Sequence, residues 1–156
     1  IYEIIFEQRS LFGDFAGQKN YLKNMCSGDY VINIDADEIP NKWLINNIKS
    51  ILEENPGIDL YWVPRVNTVK GLTEKHIQKW NWNVNEKDWI NWPDWQGRIW
   101  RNRPNIRWTK EVHEILEGYR EYTFFPEEQK FCFYHHKEIE KQEKQNTFYN
   151  KIIKNT

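Results

Sequence analysis

The sequence predicts an α/β fold, in which a mostly parallel sheet is flanked by helices and is followed by an irregular, aromatic-rich second half. Through residue 67, apolar runs typical of strands alternate with helical patterns. Such alternation is typical of βαβ units, which have parallel strands and right-handed crossovers. The chain has 156 residues, of which 39% are hydrophobic, enough for one domain with a core. We therefore expect a single domain over residues 1–156.

The first elements follow from short local patterns. Residues 1–7, "IYEIIFE", are apolar and β-branched, which predicts a strand. A helix is expected between Asp14, a capping residue, and Gly28, a stop signal. Residues 30–35, "YVINID", form a continuous apolar run, which is typical of a strand covered on both faces.

The next helix is expected over residues 41–57, because Leu44, Ile48 and Ile51 recur at helical spacing before Pro-Gly. A strand is predicted over residues 58–67. Residues 80–108 contain seven of the nine tryptophans among Asn, Asp, Arg and Pro. This segment shows no simple period, so we expect it to be irregular. Two aromatic strands at 122–125 and 130–136 and a polar helix from about Glu138 complete the chain.

Composition excludes some classes of partner and location. The 22 Lys and Arg residues nearly balance the 23 Asp and Glu residues. The net charge therefore gives no reason to expect binding to a nucleic acid or to an anionic membrane surface. No run approaches the roughly 20 apolar residues of a transmembrane helix, and no signal-peptide pattern is present. Cys26 and Cys132 lack metal-type spacing and fit free thiols in a reducing compartment. We expect a cytoplasmic protein, with peripheral membrane attachment of a longer form left open.

Three acids, Asp35, Asp37 and Glu38, follow the apolar run that ends at Ile34. In open α/β sheets, ligands collect at the carboxyl ends of strands. Two carboxylates at such a turn can approach one hard cation, whose other positions phosphate oxygens and water can fill. The alternative is that Asp37 and Glu38 simply begin the next helix, where acids favour the positive end of the dipole.

Four motifs occur in a recognisable order. The first extends from Gln18-Lys19-Asn20 to Asp35-Ala36-Asp37-Glu38, which is a DxD motif, and the other three are "DWQGRIWR" (94–101), "EVHEILEG" (111–118) and "HHKEIEKQEKQNTFY" (135–149). The set resembles the family 2 glycosyltransferases, nucleotide-sugar-dependent enzymes with the GT-A fold. The resemblance implies a GT-A-like, Rossmann-like fold. It also implies that this chain, which opens at Ile1 in a strand-like run, is a fragment lacking the first two strand-helix units.

The resemblance also implies a function. Residues 1–67 would form the nucleotide-sugar side, and residues 68–156 the acceptor side with the C-terminal helix. The enzyme would transfer a sugar, with inversion, from a nucleoside-diphosphate donor, most simply a UDP-sugar, to a glycan or other hydroxyl acceptor. Asp37 would bind Mn²⁺ or Mg²⁺, and Asp35 would lie near the ribose or hold a metal-bound water. His135 would be a further metal ligand, or else a histidine hydrogen-bonded at a strand end.

Inverting transfer needs a carboxylate base, and two acids are candidates. Glu114 is the first choice, because the resembling segment lies on the acceptor side in the family, and Asp94 is the second. Either acid could instead be a surface or loop-capping residue, and His113 would orient its segment. Asn20 is a candidate substrate contact on the strength of the same resemblance.

Gln96 and Arg98 are further candidates for contacts to the diphosphate or sugar, since a guanidinium offers a planar fork to phosphate oxygens. Arg98 could instead pair with a loop acid. Trp95 could stack on a sugar ring or belong to the core. The clustered tryptophans leave a second function open, a non-catalytic carbohydrate-binding module. A metal-dependent phosphotransferase is a third option, although no Gly-rich phosphate loop supports it.

Overall fold

The computed structural model describes residues 3–8, 10, 13–111 and 113–154. The helices are α1 (Phe15–Met25), α2 (Lys42–Glu54), α3 (Glu74–Trp80) and α4 (Ile139–Lys154), with a 3₁₀ turn at Gln129–Phe131. The strands are β1 (Tyr30–Ile32), β2 (Glu38–Pro40), β3 (Leu60–Lys70), β4 (Ile90–Arg101), β5 (Arg107–Thr109), β6 (Ile115–Glu117), β7 (Tyr122–Phe124) and β8 (Phe133–Glu138). None of the described helices has the length and apolar character that a membrane crossing requires.

The predicted mostly parallel, Rossmann-like sheet is wrong. The fold is mixed α/β, and its main sheet is curled and mostly antiparallel. The strand order is β1-β4-β3-β8-β2, with β7 beside β3, and β5 and β6 form a separate antiparallel pair. β1 with β4 and β2 with β8 are antiparallel, whereas β8 and β7 run parallel to β3.

The error arose at residues 30–40. The apolar run forms only a three-residue strand, β1, which lies at an edge of the sheet rather than in its centre. After Ile32 the chain turns at residues 35–38, where the Glu38 N–H donates to the Asp35 carbonyl at 2.9 Å, and continues as β2. The strand directly before α2 is β2, which is antiparallel to β8, whereas β8 is parallel to β3, so the parallel βαβ unit predicted over residues 30–67 does not form.

The Trp-rich segment, predicted to be irregular, contains the 12-residue strand β4. Asn, Asp and Pro are depleted in strands, and their presence in the first half of β4 hid the strand from pattern-based interpretation. Pairing in the sheet overrides that local preference. In its second half, Ile99 and Trp100 are buried and pair with Ile32 and Val31 of β1.

The strand predicted for residues 1–7 is also wrong where the structure describes it. Residues 3–8 have no regular secondary structure, and Ile4 and Phe6 are 91% and 85% exposed. A strand needs a second strand to pair with through backbone hydrogen bonds, and no described strand pairs with this segment. The predicted helices α1, α2 and α4 are confirmed, as are the strands at residues 58–67 and 122–125 and most of the strand at 130–136.

The chain divides into two compact units, of which the first comprises residues 1–33, 50–62 and 97–124. Asp14 caps α1 by accepting a hydrogen bond from the Gly17 N–H at 2.7 Å. Trp100 and Trp108 meet edge to face with their ring centroids 5.6 Å apart. The buried core of this unit is built around them and includes Ala16, Val31, Leu60, Trp100, Ile106, Trp108 and Leu116.

The second unit comprises residues 34–49, 63–96 and 125–156. It contains β2, α3, β8 and α4 together with parts of α2, β3 and β4. Leu44 and Ile48 of α2, Val63 and Val66 of β3, and Phe133 of β8 are all buried. A row of charged and polar side chains, described next, lies within this unit.

Candidate functional site

The strands of the second unit bring polar side chains from distant parts of the sequence into one row. Asn67 on β3 is the register partner of His135 on β8, and His135 is also the register partner of Glu38 on β2. Arg65 lies two residues before Asn67, and alternate residues of a strand share a face. Asp94 of β4 accepts hydrogen bonds from both Arg65 and Asn67. We call these five residues the polar row.

Glu38 is the most buried acid of the polar row, with a side chain that is 0% exposed. Its Oε1 accepts a hydrogen bond from Arg65 Nη1 at 2.9 Å, and its Oε2 accepts one from the Asp35 N–H at 3.2 Å. Burial by itself lowers the pKa of Arg65, but Asp94 and Glu38 outweigh it and raise that pKa. Glu38 therefore ties β2 to β3 through its contacts with Arg65 and the Asp35 backbone, and it is not a helix-start residue.

Asp94 is held on several sides and remains partly open, with a side chain that is 24% exposed. Its Oδ2 accepts from Arg65 Nε at 2.9 Å and from Asn67 Nδ2 at 2.7 Å, and it lies 2.7 Å from Arg65 Nη2. Its Oδ1 accepts from Gln96 Nε2 at 2.8 Å. Each carboxylate oxygen has two lone pairs, so Oδ1, with one hydrogen bond from the described residues, can take a proton.

Asp37 lies beside His135 and extends the polar row. Asp37 Oδ2 lies 3.4 Å from His135 Nε2 and 3.2 Å from Lys141 Nζ. The hydrogen bond from His135 and the positive charges of His135 and Lys141 hold the pKa of Asp37 well below its usual range, although burial opposes them. Asp37 is therefore a carboxylate at any ordinary pH. Asp35 joins the site through its backbone N–H, which donates to Glu38.

Two lysines of the last motif accompany these groups. Lys137 follows His135 by two residues on β8, and Lys141 lies in the first turn of α4. Burial lowers the pKa of Lys137, and the charges of Arg65 and Lys141 act in the same direction. Its Nζ donates to Gln145 Oε1, whereas the Lys141 side chain is 60% exposed. The site thus offers positive charge beside the ionised Asp37.

The metal site predicted from the sequence would have two protein ligands among the described residues. Asp37 and His135 supply one carboxylate oxygen and one imidazole nitrogen, which suit Mn²⁺ better than Mg²⁺. Among the described residues, no group of three or more His, Cys, Asp and Glu side chains could hold a metal ion. A cation held by Asp37 and His135 would therefore take its remaining ligands from phosphate oxygens and water.

Four of the remaining predicted site residues, Asn20, Arg98, His113 and Glu114, belong to the first unit. Asn20 donates through Nδ2 to the Trp108 carbonyl at 2.8 Å, and its Oδ1 accepts from the Trp108 N–H at 2.9 Å. Both ends of this amide thus link α1 to β5. Glu114 forms an ion pair with Lys19, whose Nζ lies 2.7 Å from Glu114 Oε1.

Arg98 and His113, also of the first unit, differ in exposure: Arg98 is buried and His113 is exposed. Arg98 is 2% exposed on β4, and its carbonyl accepts a hydrogen bond from the Asn33 N–H at 2.9 Å. His113 is exposed and has a backbone φ of 55°, in the left-handed region that few non-glycine residues adopt. Trp95, in the second unit, lies between Asp94 and Gln96 on β4, and by strand alternation it faces away from them.

Sequence reasoning missed Arg65 and Asn67 and undervalued Glu38. The signal for the first two was present, because they are polar residues two positions apart in an otherwise apolar strand, "WVPRVN". Such spacing places both on one face, where a buried charge requires partners. The identity of those partners, Glu38 and Asp94, depends on strand order and register.

Comparisons with known proteins leave the function open. No family model matches the chain, and a search of curated proteins gives no match. The case for a function therefore rests on the motifs and on the geometry of the polar row.

Proposed function

We propose that this chain carries part of the active site of a glycosyltransferase that moves a sugar from a nucleoside-diphosphate donor, most simply a UDP-sugar, to a hydroxyl acceptor. One observation carries the proposal. Asp37, Asp94 and His135 come from three of the motifs that resemble family 2 glycosyltransferases, and a continuous set of hydrogen bonds and close polar contacts links them. Packing alone does not require these three segments to converge through their polar side chains.

Asp94 is the proposed base. Its Oδ1 would accept the proton of the acceptor hydroxyl as that oxygen attacks the anomeric carbon. The bond from the anomeric carbon to the donor diphosphate breaks, and its electron pair leaves with the diphosphate. Arg65, Asn67 and Gln96 hold the carboxylate in place, which is the positioning that general-base catalysis requires. Glu114, the first choice from the sequence, becomes the second candidate, since its carboxylate is paired to Lys19.

Asp37 and His135 are the proposed ligands of a divalent cation on the donor diphosphate. When bound, such a cation supplies Lewis-acid stabilisation of the negative charge on the leaving group. Lys141, at 3.2 Å from Asp37, places a further positive charge where that diphosphate would lie. Phosphate oxygens accept from ammonium groups through charge-assisted hydrogen bonds, so Lys141 would contribute to donor binding.

A carbohydrate-binding module is the alternative, and the arrangement of the indole rings favours it. Trp80 and Trp82 have ring centroids 4.7 Å apart, and Trp89 and Trp92 have centroids 4.9 Å apart. All four are partly exposed in the second unit. Paired, half-exposed indoles could stack on sugar rings without any catalysis.

The decisive experiment measures sugar transfer from UDP-sugars by the longest natural form of the protein, with Mn²⁺ present. Asp94→Asn should lower kcat about 10²- to 10⁴-fold, because the amide cannot take a proton, and should change KM little. Asp88→Asn is the matched control, since Asp88 is an exposed acid of the same Trp-rich segment and should keep full activity.

A second measurement separates the two functions. Binding of UDP in the presence of Mn²⁺ should be lost in Asp37→Ala if the site is a donor site. A protein that binds glycans but shows neither UDP binding nor transfer would refute the glycosyltransferase proposal and support the binding module.

A further inference from the structure

Gln96 follows Asp94 by two residues on β4, and a hydrogen bond joins the two side chains. Gln96 Nε2 donates to Asp94 Oδ1 at 2.8 Å, and the Gln96 residue is partly buried. The other carboxylate oxygen of Asp94, Oδ2, is held by Arg65 and Asn67. The oxygen of Asp94 that can take a proton from a substrate is therefore the one on which Gln96 lies.

The contact with Asp94 determines which end of the Gln96 amide remains available. Asp94 forms an ion pair with Arg65, and a carboxylate in such a pair only accepts hydrogen bonds, so the NH₂ group of Gln96 must face it. The carbonyl oxygen, Oε1, has two lone pairs, and no group in the described part of the chain donates a hydrogen bond to it. Gln96 thus presents an open acceptor beside the proposed base.

The two acceptors are close enough to bind one small molecule. The C–N and C=O bonds of the amide place Gln96 Oε1 within about 5.4 Å of Asp94 Oδ1. Hydroxyl groups bind at about 2.5–3.0 Å from an oxygen acceptor, so two hydroxyls on adjacent carbons can reach both oxygens at once. A molecule with a single hydroxyl would leave Oε1 without a donor, and a hydrogen bond that is not made in a partly buried site weakens binding.

Aromatic rings next to these acceptors favour a carbohydrate over other diols. Trp89 and Trp92 are partly exposed, with ring centroids 4.9 Å apart, and Trp92 lies two residues before Asp94. Two residues span at most about 7 Å of chain, so a sugar ring bound at Asp94 can reach the indole of Trp92. Indoles present apolar faces on which the C–H groups of a sugar can stack.

We propose that Gln96 is a specificity-determining residue that selects, as the acceptor, a sugar with a free hydroxyl next to the reacting hydroxyl. The inference rests on the proposed function, in which Asp94 takes the proton of the reacting hydroxyl. The neighbouring hydroxyl donates to Gln96 Oε1, and Trp92 packs against the ring. Two hydrogen bonds fix which hydroxyl faces Asp94, whereas an isolated alcohol, such as a serine side chain, would make only one of them.

Two variants isolate the amide. Gln96→Met keeps the length of the side chain and removes both its donor and its acceptor. Gln78→Met is the matched control, because Gln78 is an exposed residue of α3 in the same unit. Both variants are made in the longest natural form of the protein, and far-UV circular dichroism and urea unfolding establish that each is folded.

The first measurement is the binding of simple glycosides by calorimetry, with UDP and Mn²⁺ present. The probes are methyl glucosides, galactosides and mannosides and their monodeoxy analogues. In the wild type and in Gln78→Met, removal of either hydroxyl of one adjacent pair should raise Kd about 5- to 30-fold. In Gln96→Met, one of these two hydroxyls should lose its effect and the other should keep it. A wild type that binds none of the glycosides, or a Gln96→Met variant that stays sensitive to both hydroxyls, would overturn the inference.

The second measurement, sugar transfer from UDP-sugars to the same glycosides, separates this inference from the proposed function. The new linkage should form at the hydroxyl whose effect on binding survives in Gln96→Met, because that hydroxyl faces Asp94. Linkage at another position, or transfer that needs Asp94 but is indifferent to Gln96, would overturn the inference alone. Selective binding of the hydroxyl pair by a protein that transfers no sugar would refute the proposed function while leaving Gln96 as a sugar contact.

Discussion

Replacement of Glu38 by glutamine tests whether the polar row stabilises the fold as well as forming the site. Glu38 is fully buried, and its carboxylate accepts from Arg65 Nη1 and from the Asp35 N–H. The amide keeps the shape of the side chain but loses the charge, and its NH₂ group has no acceptor where Arg65 and the Asp35 N–H now donate. The variant should therefore fold and should be less stable.

The loss of stability in Glu38→Gln depends on the ion pair that Arg65 still makes with Asp94. Breaking a buried ion pair by removing one partner costs about 3–5 kcal/mol. Arg65 keeps Asp94, whose Oδ2 lies 2.7 Å from Nη2, so its charge stays compensated and the lower end, about 3 kcal/mol, applies. For a chain of this length, that corresponds to a fall in melting temperature of about 6–12 °C.

Arg65→Met should lower the free energy of unfolding more than Glu38→Gln does. It leaves two acids, Glu38 and Asp94, without their shared cation, and the side chain of Glu38 has no access to water. The double variant Glu38→Leu/Arg65→Met should recover much of the loss, because a buried pair replaced by apolar side chains is often neutral for stability.

Urea unfolding followed by circular dichroism measures these free energies. Glu86→Gln, which changes an exposed acid in the loop before β4, is the control and should lie within about 0.5 kcal/mol of the wild type. If Glu38→Gln is as stable as that control, or if Arg65→Met costs less than Glu38→Gln, the reasoning from burial and pairing is refuted.

Two further predictions concern the first unit. Asn20→Ala should lower stability by about 1–3 kcal/mol, because two hydrogen bonds to the Trp108 backbone are lost, whereas Asn24→Ala on the exposed side of α1 should change little; equal urea midpoints would favour a purely substrate-binding role for Asn20. Burial raises the pKa of Tyr61, which is 1% exposed, to about 12. Because its folded pKa lies above the unfolded value of about 10, Tyr61 contributes stability below pH 10 that is lost as the pH rises to 12. Urea unfolding between pH 8 and 12 should show a smaller alkaline loss in Tyr61→Phe, and an equal loss in both proteins would contradict this assignment.

The helices and most strands were accessible to sequence reasoning because they depend on local patterns. Leu44 and Ile48 recur at the spacing of a helix face, and Asp14 caps α1 as predicted. The sheet was not accessible in the same way. Whether the run before Asp35 forms a central parallel strand or a short antiparallel edge depends on its pairing with β4, which lies far away in the sequence.

Some residues of the candidate site could likewise be identified from the sequence, and others could not. Asp37, Asp94 and His135 could be selected from motifs, because carboxylates and imidazole at those positions have an evident chemistry. Glu38 could not be separated from an ordinary helix-start acid, and Arg65 and Asn67 look like polar interruptions of a strand. Their roles follow from partners that only register brings within reach.

By itself, the sequence determined the chemistry that is available and the segments that carry it, because side-chain types and local periodicity are written along the chain. The tertiary structure decided which of those groups meet. The parallel pairing of β3 with β8, and the antiparallel pairing of β8 with β2, place Asn67, His135 and Glu38 side by side. Strand pairing joins residues through contacts between distant segments, and for that reason no local pattern could have specified it.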